Sequence, residues 1–105
     1  MSVKVVIERK LLQKLPPDAL KAVNELRKKA MQQLGYITGE TLYSDAENNL
    51  VVFSYWSSLN DWERWKANKE REAIDRQLTP YLKETPVIRY YESAADYLKR
   101  MAEGA

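Results

Sequence analysis

The stretch Leu50-Val-Val-Phe-Ser-Tyr-Trp56 restricts what this chain can fold into more than any other. In an extended strand successive side chains point to opposite faces, so Leu50, Val52 and Trp56 share one side and Val51, Phe53 and Tyr55 the other. Both sides are largely apolar, which calls for cover on each. The neighbouring elements must supply one cover, and a partner is expected to supply the second.

The flanking sequence predicts those elements. Val3, Val5 and Ile7 alternate in Val3-Lys-Val-Val-Ile-Glu-Arg9, a first strand of β-branched residues. Pro16-Pro17-Asp18 stops it and opens a helix, because proline is tolerated in a first turn and acidic charge is favoured there. Leu20, Val23, Leu26, Ala30 and Leu34 recur at helical spacing, so the helix is expected to run to about Leu34, with Gly35 as its C-terminal stop. Tyr36–Tyr43 reads as a second strand and residues 45–49 as a hairpin loop into strand three.

Ser57, Ser58 and Asn60 can cap the next helix, which carries Leu59, Trp62 and Trp65 on one side. At 100° per residue, Ile74, Leu78, Tyr81 and Leu82 fall on a different side from those tryptophans. A straight helix could not bury both sets, which predicts a break near Asn68–Arg71. Val87–Glu92 follows as a fourth strand, then a tail helix from Ser93 through Met101. The order βαββαβ predicts one domain over residues 1–105 of ferredoxin-like α+β class. Its four-stranded antiparallel sheet has the main helices on one face, so a homodimer packed sheet against sheet is expected to cover the other.

Composition narrows the chemistry. The chain has no cysteine, hence no disulfide framework, thiolate nucleophile or sulfur metal site. It has no histidine, which excludes serine-histidine hydrolysis and histidine-ligated zinc or haem. Seventeen Lys and Arg against fifteen Asp and Glu are interspersed, so nothing asks for nucleic acid. No run is long and apolar enough to span a membrane, and the N-terminus lacks a signal-peptide pattern, so a cytoplasmic location is expected.

Gly35-Tyr36-Ile37 after helix one, a strand ending Tyr55-Trp56-Ser57-Ser58 and continuing Leu-Asn-Asp-Trp, a broken helix and a last strand together resemble the antibiotic biosynthesis monooxygenase domain family. The resemblance covers roughly residues 3–92 and implies a dimeric α+β barrel with ligands held between helices and sheet. It implies a cofactor-independent monooxygenase of aromatic or polyketide-like molecules. It does not extend to the haem-degrading branch, whose asparagine, tryptophan and histidine would fall on Glu8, Trp65 and Asp75. No cofactor is expected.

All three tryptophans and the single phenylalanine lie within residues 51–65, as either a core or the wall of an aromatic pocket. The expected ligand-binding set is Trp56, Trp62, Trp65, Tyr90 and Arg89, the last to hold an anionic oxygen or to form an ion pair at the dimer seam. Tyr43 and Tyr55 are further candidates. Asp75 and Glu8, with Glu40 behind them, are the carboxylates that could take a phenolic proton if burial raises their pKa. Two other readings stay open: a non-catalytic small-molecule-binding or accessory dimer of the same fold, and an interaction module whose helix–sheet space is filled.

Overall fold

The alternation in the first strand and the two-faced third strand make these the centre of the sheet. In the computed structural model, which describes residues 2–104, β1 (Val3–Lys10) lies between β3 (Asn49–Trp56) and β4 (Val87–Tyr91). β2 (Tyr36–Ser44) forms the far edge, so the order is β2-β3-β1-β4, antiparallel throughout. This is the ferredoxin-like α+β arrangement expected from the element order.

The register decides what each face carries. Val5 opposes Ser54 and Tyr90, Ile7 opposes Val52 and Ile88, and Arg9 opposes Leu50, so these share the inner face. Helices α1 (Pro17–Ala30), α2 (Leu59–Lys66) and α3 (Lys69–Leu78) pack on it. The core joins Val5, Leu50 and Trp56 from the sheet to Val23 and Leu26 of α1, Trp62 of α2 and Leu78 of α3. On the outer face Lys4 opposes Tyr55, Val6 opposes Phe53 and Arg89, and Glu8 opposes Val51 and Val87. There Leu42, Tyr55, Val87 and Tyr91 are exposed.

Helix α1 is shorter than its apolar spacing suggests, ending at Ala30 rather than near Leu34. The amides of Gln32 and Gln33 bond to the carbonyls three residues back, on Lys29 and Ala30, which tightens the last turn and ends the helix. Leu34 is therefore 76% exposed, and the buried stripe runs through Ala19, Ala22, Val23, Leu26 and Ala30 with Leu20 at its margin. Gly35 then turns the chain at φ +89°, and a Cβ there would overlap the carboxyl of Asp61. In the β2–β3 hairpin Asn49 already belongs to β3, and Asn48 takes the left-handed conformation at φ 51°. Its amide donates to the carbonyls of Leu11 and Gln13, while the Tyr43 hydroxyl donates to its side-chain oxygen. That contact makes Tyr43 part of the hairpin's scaffold.

The expected break falls at Ala67–Asn68. Asn68 is the N-cap of α3, its side-chain oxygen accepting from the amides of Glu70 (2.8 Å) and Arg71 (3.2 Å). Restarting the helix there brings Leu78 against the core in which Trp62 and Trp65 already lie. Ser93 caps a tail helix, α4 (Ala94–Gly104), through the amide of Asp96. This helix runs past Met101 and leaves Tyr97, Leu98 and Met101 exposed. Among the described residues no helix is long and apolar enough to cross a membrane.

Candidate functional site

The aromatic cluster is a chain of edge-to-face contacts rather than a stack. Tyr36 meets Trp56 with ring centroids 5.4 Å apart, Trp56 meets Trp62 at 5.9 Å, and Trp62 meets Tyr90 at 6.4 Å. Two of the indoles find partners within the protein: Trp56 donates to Ser54 Oγ (2.9 Å) and Trp62 to the Tyr90 hydroxyl (3.2 Å). All three tryptophans are buried, at 0%, 1% and 4% exposure for Trp56, Trp62 and Trp65.

A cavity of about 40 Å³ remains beside them, between α1, α3 and the inner face of the sheet. Trp56, Trp62 and Trp65 wall it together with Tyr36, and the polar groups that reach it include Arg9, Arg27 and Arg71. At roughly 10–15 Å³ for each water-sized occupant it holds about three. A ring-sized ligand has to displace part of the wall.

The arginines are what sequence reasoning missed. Arg9 continues the inner-face alternation of Val3, Val5 and Ile7, and is only 2% exposed. Its Nη2 donates to Asp75 Oδ1 at 3.0 Å, and its Nε is buried without a hydrogen-bond partner. Arg71, 7% exposed, lies with its guanidinium 5.4 Å from the Trp62 ring centre. Burial pushes the Arg71 guanidinium below its ordinary pKa; Asp75 opposes that shift and Arg9 adds to it. Arg27 Nη2 donates to the Gly39 carbonyl (2.6 Å), and its Nε too is buried without a partner. The signal was available: an arginine in phase with a buried strand face, and another in phase with Ile74 and Leu78 just after a helix restart.

The candidate residues from the sequence divide between the two faces. Trp56, Trp62, Trp65 and Tyr90 come together on the inner side, and of these the three tryptophans reach the cavity. Asp75 is nearby as the partner of Arg9, with its side chain 35% exposed. Glu8 and Arg89 are on the outer face and form an ion pair with each other, Glu8 also accepting from Asn49. The sheet separates both from the cavity, because their parity in β1 and β4 is opposite to that of Ile7 and Tyr90. Glu40 and Tyr55 share that outer face. The Arg89–Glu8 pair joins two strands of one chain, where a pair across a dimer seam was one expectation.

The entrance to α2 is built by Asp61. Ser58 caps the helix by accepting from the Asp61 amide (3.1 Å), while the Ser57 and Ser58 hydroxyls donate to the Asp61 carboxylate at 2.6 and 2.9 Å. The Ser57 bond first, then that from Ser58, holds the Asp61 pKa below its ordinary value. This knot fixes the start of the helix that carries two walls of the cavity.

A scan against protein-family models matches none, and a search of curated proteins finds no relative. Comparison with solved structures does find likeness. A conserved protein from Methanosarcina mazei superposes with TM-score 0.80 at 13% identity, over 89% of this chain and 93% of that one. SnoaB, a cofactor-independent oxygenase from Streptomyces nogalater, superposes with TM-score 0.77 at 15% identity, over 88% and 92%. A protein described as a candidate antibiotic biosynthesis monooxygenase from Caulobacter crescentus gives TM-score 0.79 at 18% identity, over 89% and 90%. At these identities the likeness is one of architecture: the chain has the ferredoxin-like α+β fold found in antibiotic biosynthesis monooxygenases.

Proposed function

We propose that the chain is a cofactor-independent monooxygenase-like protein acting on an aromatic or polyketide-like small molecule bound beside Trp62 and Trp65. The carrying observation is a cavity walled by three tryptophans and reached by buried arginines, in a fold shared with a cofactor-independent oxygenase. Oxidation of an activated methylene balances without an added reductant: R₂CH₂ and O₂ give R₂C=O and H₂O, the substrate supplying the electrons. The reacting species is the substrate's carbanion-like anion. In this site the protein's part is to stabilise that anion and exclude water from it.

The carboxylates have less to do in this reading than the sequence suggested. Glu8 is on the wrong side of the sheet and Asp75 is engaged by Arg9. Guanidinium groups at the cavity supply the alternative, since a positive charge in a poorly solvated site favours the deprotonated form of an acidic substrate. Oxygen uptake with anthrone-like and dihydroxyaromatic substrates tests the reading, with Trp65→Phe and Asp75→Asn as comparisons. Uptake that depends on this protein and falls in Trp65→Phe supports it; no uptake across a varied panel overturns it.

The small cavity favours a second reading, a non-catalytic ligand-binding or accessory protein of the same fold. Ligand-dependent change in tryptophan fluorescence without oxygen uptake would select it. In either case we propose a homodimer through the outer face, supported by exposed Leu42, Tyr55, Val87 and Tyr91 around half-buried Val6, Val51 and Phe53.

A further inference from the structure

The helix–sheet cavity has an unusual charge balance for a space walled by indole rings. Two of the guanidiniums that reach it, Arg9 and Arg71, are more than nine-tenths buried. One carboxylate, Asp75, is within bonding distance of Arg9. Among the described residues the Arg71 guanidinium has neither a salt bridge nor a side-chain hydrogen bond; it lies over the face of Trp62, and Asp75 acts on it only through space. Buried charge is ordinarily paired, because an isolated ion in a poorly solvated interior is costly. Glu72 also acts on Arg71 but is exposed to solvent, so at the buried positions two positive groups stand against the one carboxylate of Asp75 and leave a single positive charge unmatched. The unpartnered Arg9 Nε is a donor left over at the same place. Arg27 adds positive potential, although it is only half-buried and already bonded to the Gly39 carbonyl.

We infer that Arg9 and Arg71 form a binding subsite for one singly charged anionic group, and that the ligand enters the cavity as a monoanion: a carboxylate, phenolate or enolate carried on a flat apolar body. This deepens the proposed function by naming the charge state of the ligand, and it rests on reading the cavity as a ligand site. The guanidiniums supply N–H donors for the anionic oxygen. The indoles supply the surface for the ring, once the wall yields to admit it. Asp75 neutralises one arginine, which sets the preference for one negative charge rather than two. It also keeps Arg9 in place when the site is empty.

The test uses the whole protein and simple probes. Iodide, an anion that quenches indole fluorescence, is titrated at constant ionic strength against fluoride, with caesium as the cationic control. With tryptophans at most 4% exposed, collisional quenching is weak. The expected result is a saturable iodide component that caesium does not reproduce. Arg71→Gln should weaken that component at least tenfold, while Arg71→Lys, which keeps the charge but loses the planar fork, should retain part of it. Arg71→Gln removes an unmatched buried charge, so its melting temperature should not fall. Benzoate should then displace iodide at least tenfold more effectively than benzamide, which has the same shape and no charge. Iodide quenching that is linear, that matches in caesium, or that is unchanged in Arg71→Gln overturns the subsite. Equal displacement by benzoate and benzamide, or none by either, overturns the assignment of the ligand as a monoanion. Saturable iodide binding in a protein that consumes no oxygen with any substrate would sink the oxygenase reading and leave the anion subsite standing.

Discussion

Replacing Asp75 with asparagine removes the salt-bridge partner of buried Arg9, a carboxylate whose charge also acts on Arg71. Arg9 is 2% exposed and its Nη2 is 3.0 Å from Asp75 Oδ1, a carboxylate about one-third open to water at 35%. At this separation, and at an effective dielectric constant near 20, the attraction is about 5.5 kcal/mol. Water at the exposed part of Asp75 screens roughly half of that. The asparagine carbonyl can still accept from Arg9, which retains about 1 kcal/mol. The expected net loss is therefore about 2 kcal/mol, read as a lower urea midpoint at unchanged slope. For a domain of this size that corresponds to a fall in Tm of about 8–16 °C. The companion double variant Arg9→Met with Asp75→Leu should recover part of the loss, because it removes the Arg9 charge together with its salt-bridge partner while Arg71 still loses the Asp75 charge and is relieved of Arg9. A loss below about 0.5 kcal/mol in Asp75→Asn, within the ordinary range for surface substitutions, would refute the view that this pair stabilises Arg9.

Three further outcomes follow from other parts of the molecule. Gly35→Ala should cost about 1–2 kcal/mol in urea denaturation, since the position combines φ +89° with close approach to Asp61; a neutral result would mean that the turn relaxes freely. The Asp61 carboxyl has a folded-state pKa below the ordinary 3.8, so the stability it contributes is present above that value and is lost as pH falls through the folded pKa. Asp61→Asn should accordingly flatten the fall in stability below about pH 4, and a carboxyl titration by NMR that places Asp61 at or above its ordinary value would contradict the hydrogen-bonded geometry. Leu42→Asp, which sets a charge in the outer apolar band, should shift sedimentation from dimer to monomer without changing the secondary structure; a wild-type protein that sediments as a monomer at every concentration would reject the sheet-face dimer.

The sheet was legible because its signals are periodic. Alternation along β1 and β3 placed each side chain on the correct face, and the change of phase after Trp65 located the joint between α2 and α3. The same periodicity places two of the candidate residues away from the helices: Glu8 cannot face them if Ile7 does, and Arg89 cannot if Tyr90 does. Arg9 was readable by the same rule, yet a charged residue is usually assigned to solvent. The end of α1 was not legible, because apolar Leu34 lies in helical phase but has nothing to pack on. The size of the cavity depends on how rings from β2, β3 and α2 interlock, which no local pattern encodes.

The break at Asn68 divides the site mechanically. The indoles of Trp62 and Trp65 ride on α2, whereas Arg71 and Asp75 ride on α3, and only Ala67 and Asn68 connect the two segments. Trp62 lies six residues before the joint, about 9 Å along a helix at 1.5 Å per residue. A tilt of about 10° at that joint therefore carries the ring about 1.5 Å, enough to change which occupants fit, while the cationic side keeps its register with β1. Because the Arg71 guanidinium lies over the Trp62 ring, any such tilt also shifts the contact between the two segments, so the apolar wall and the buried cation of this small domain move as a coupled pair across a two-residue joint.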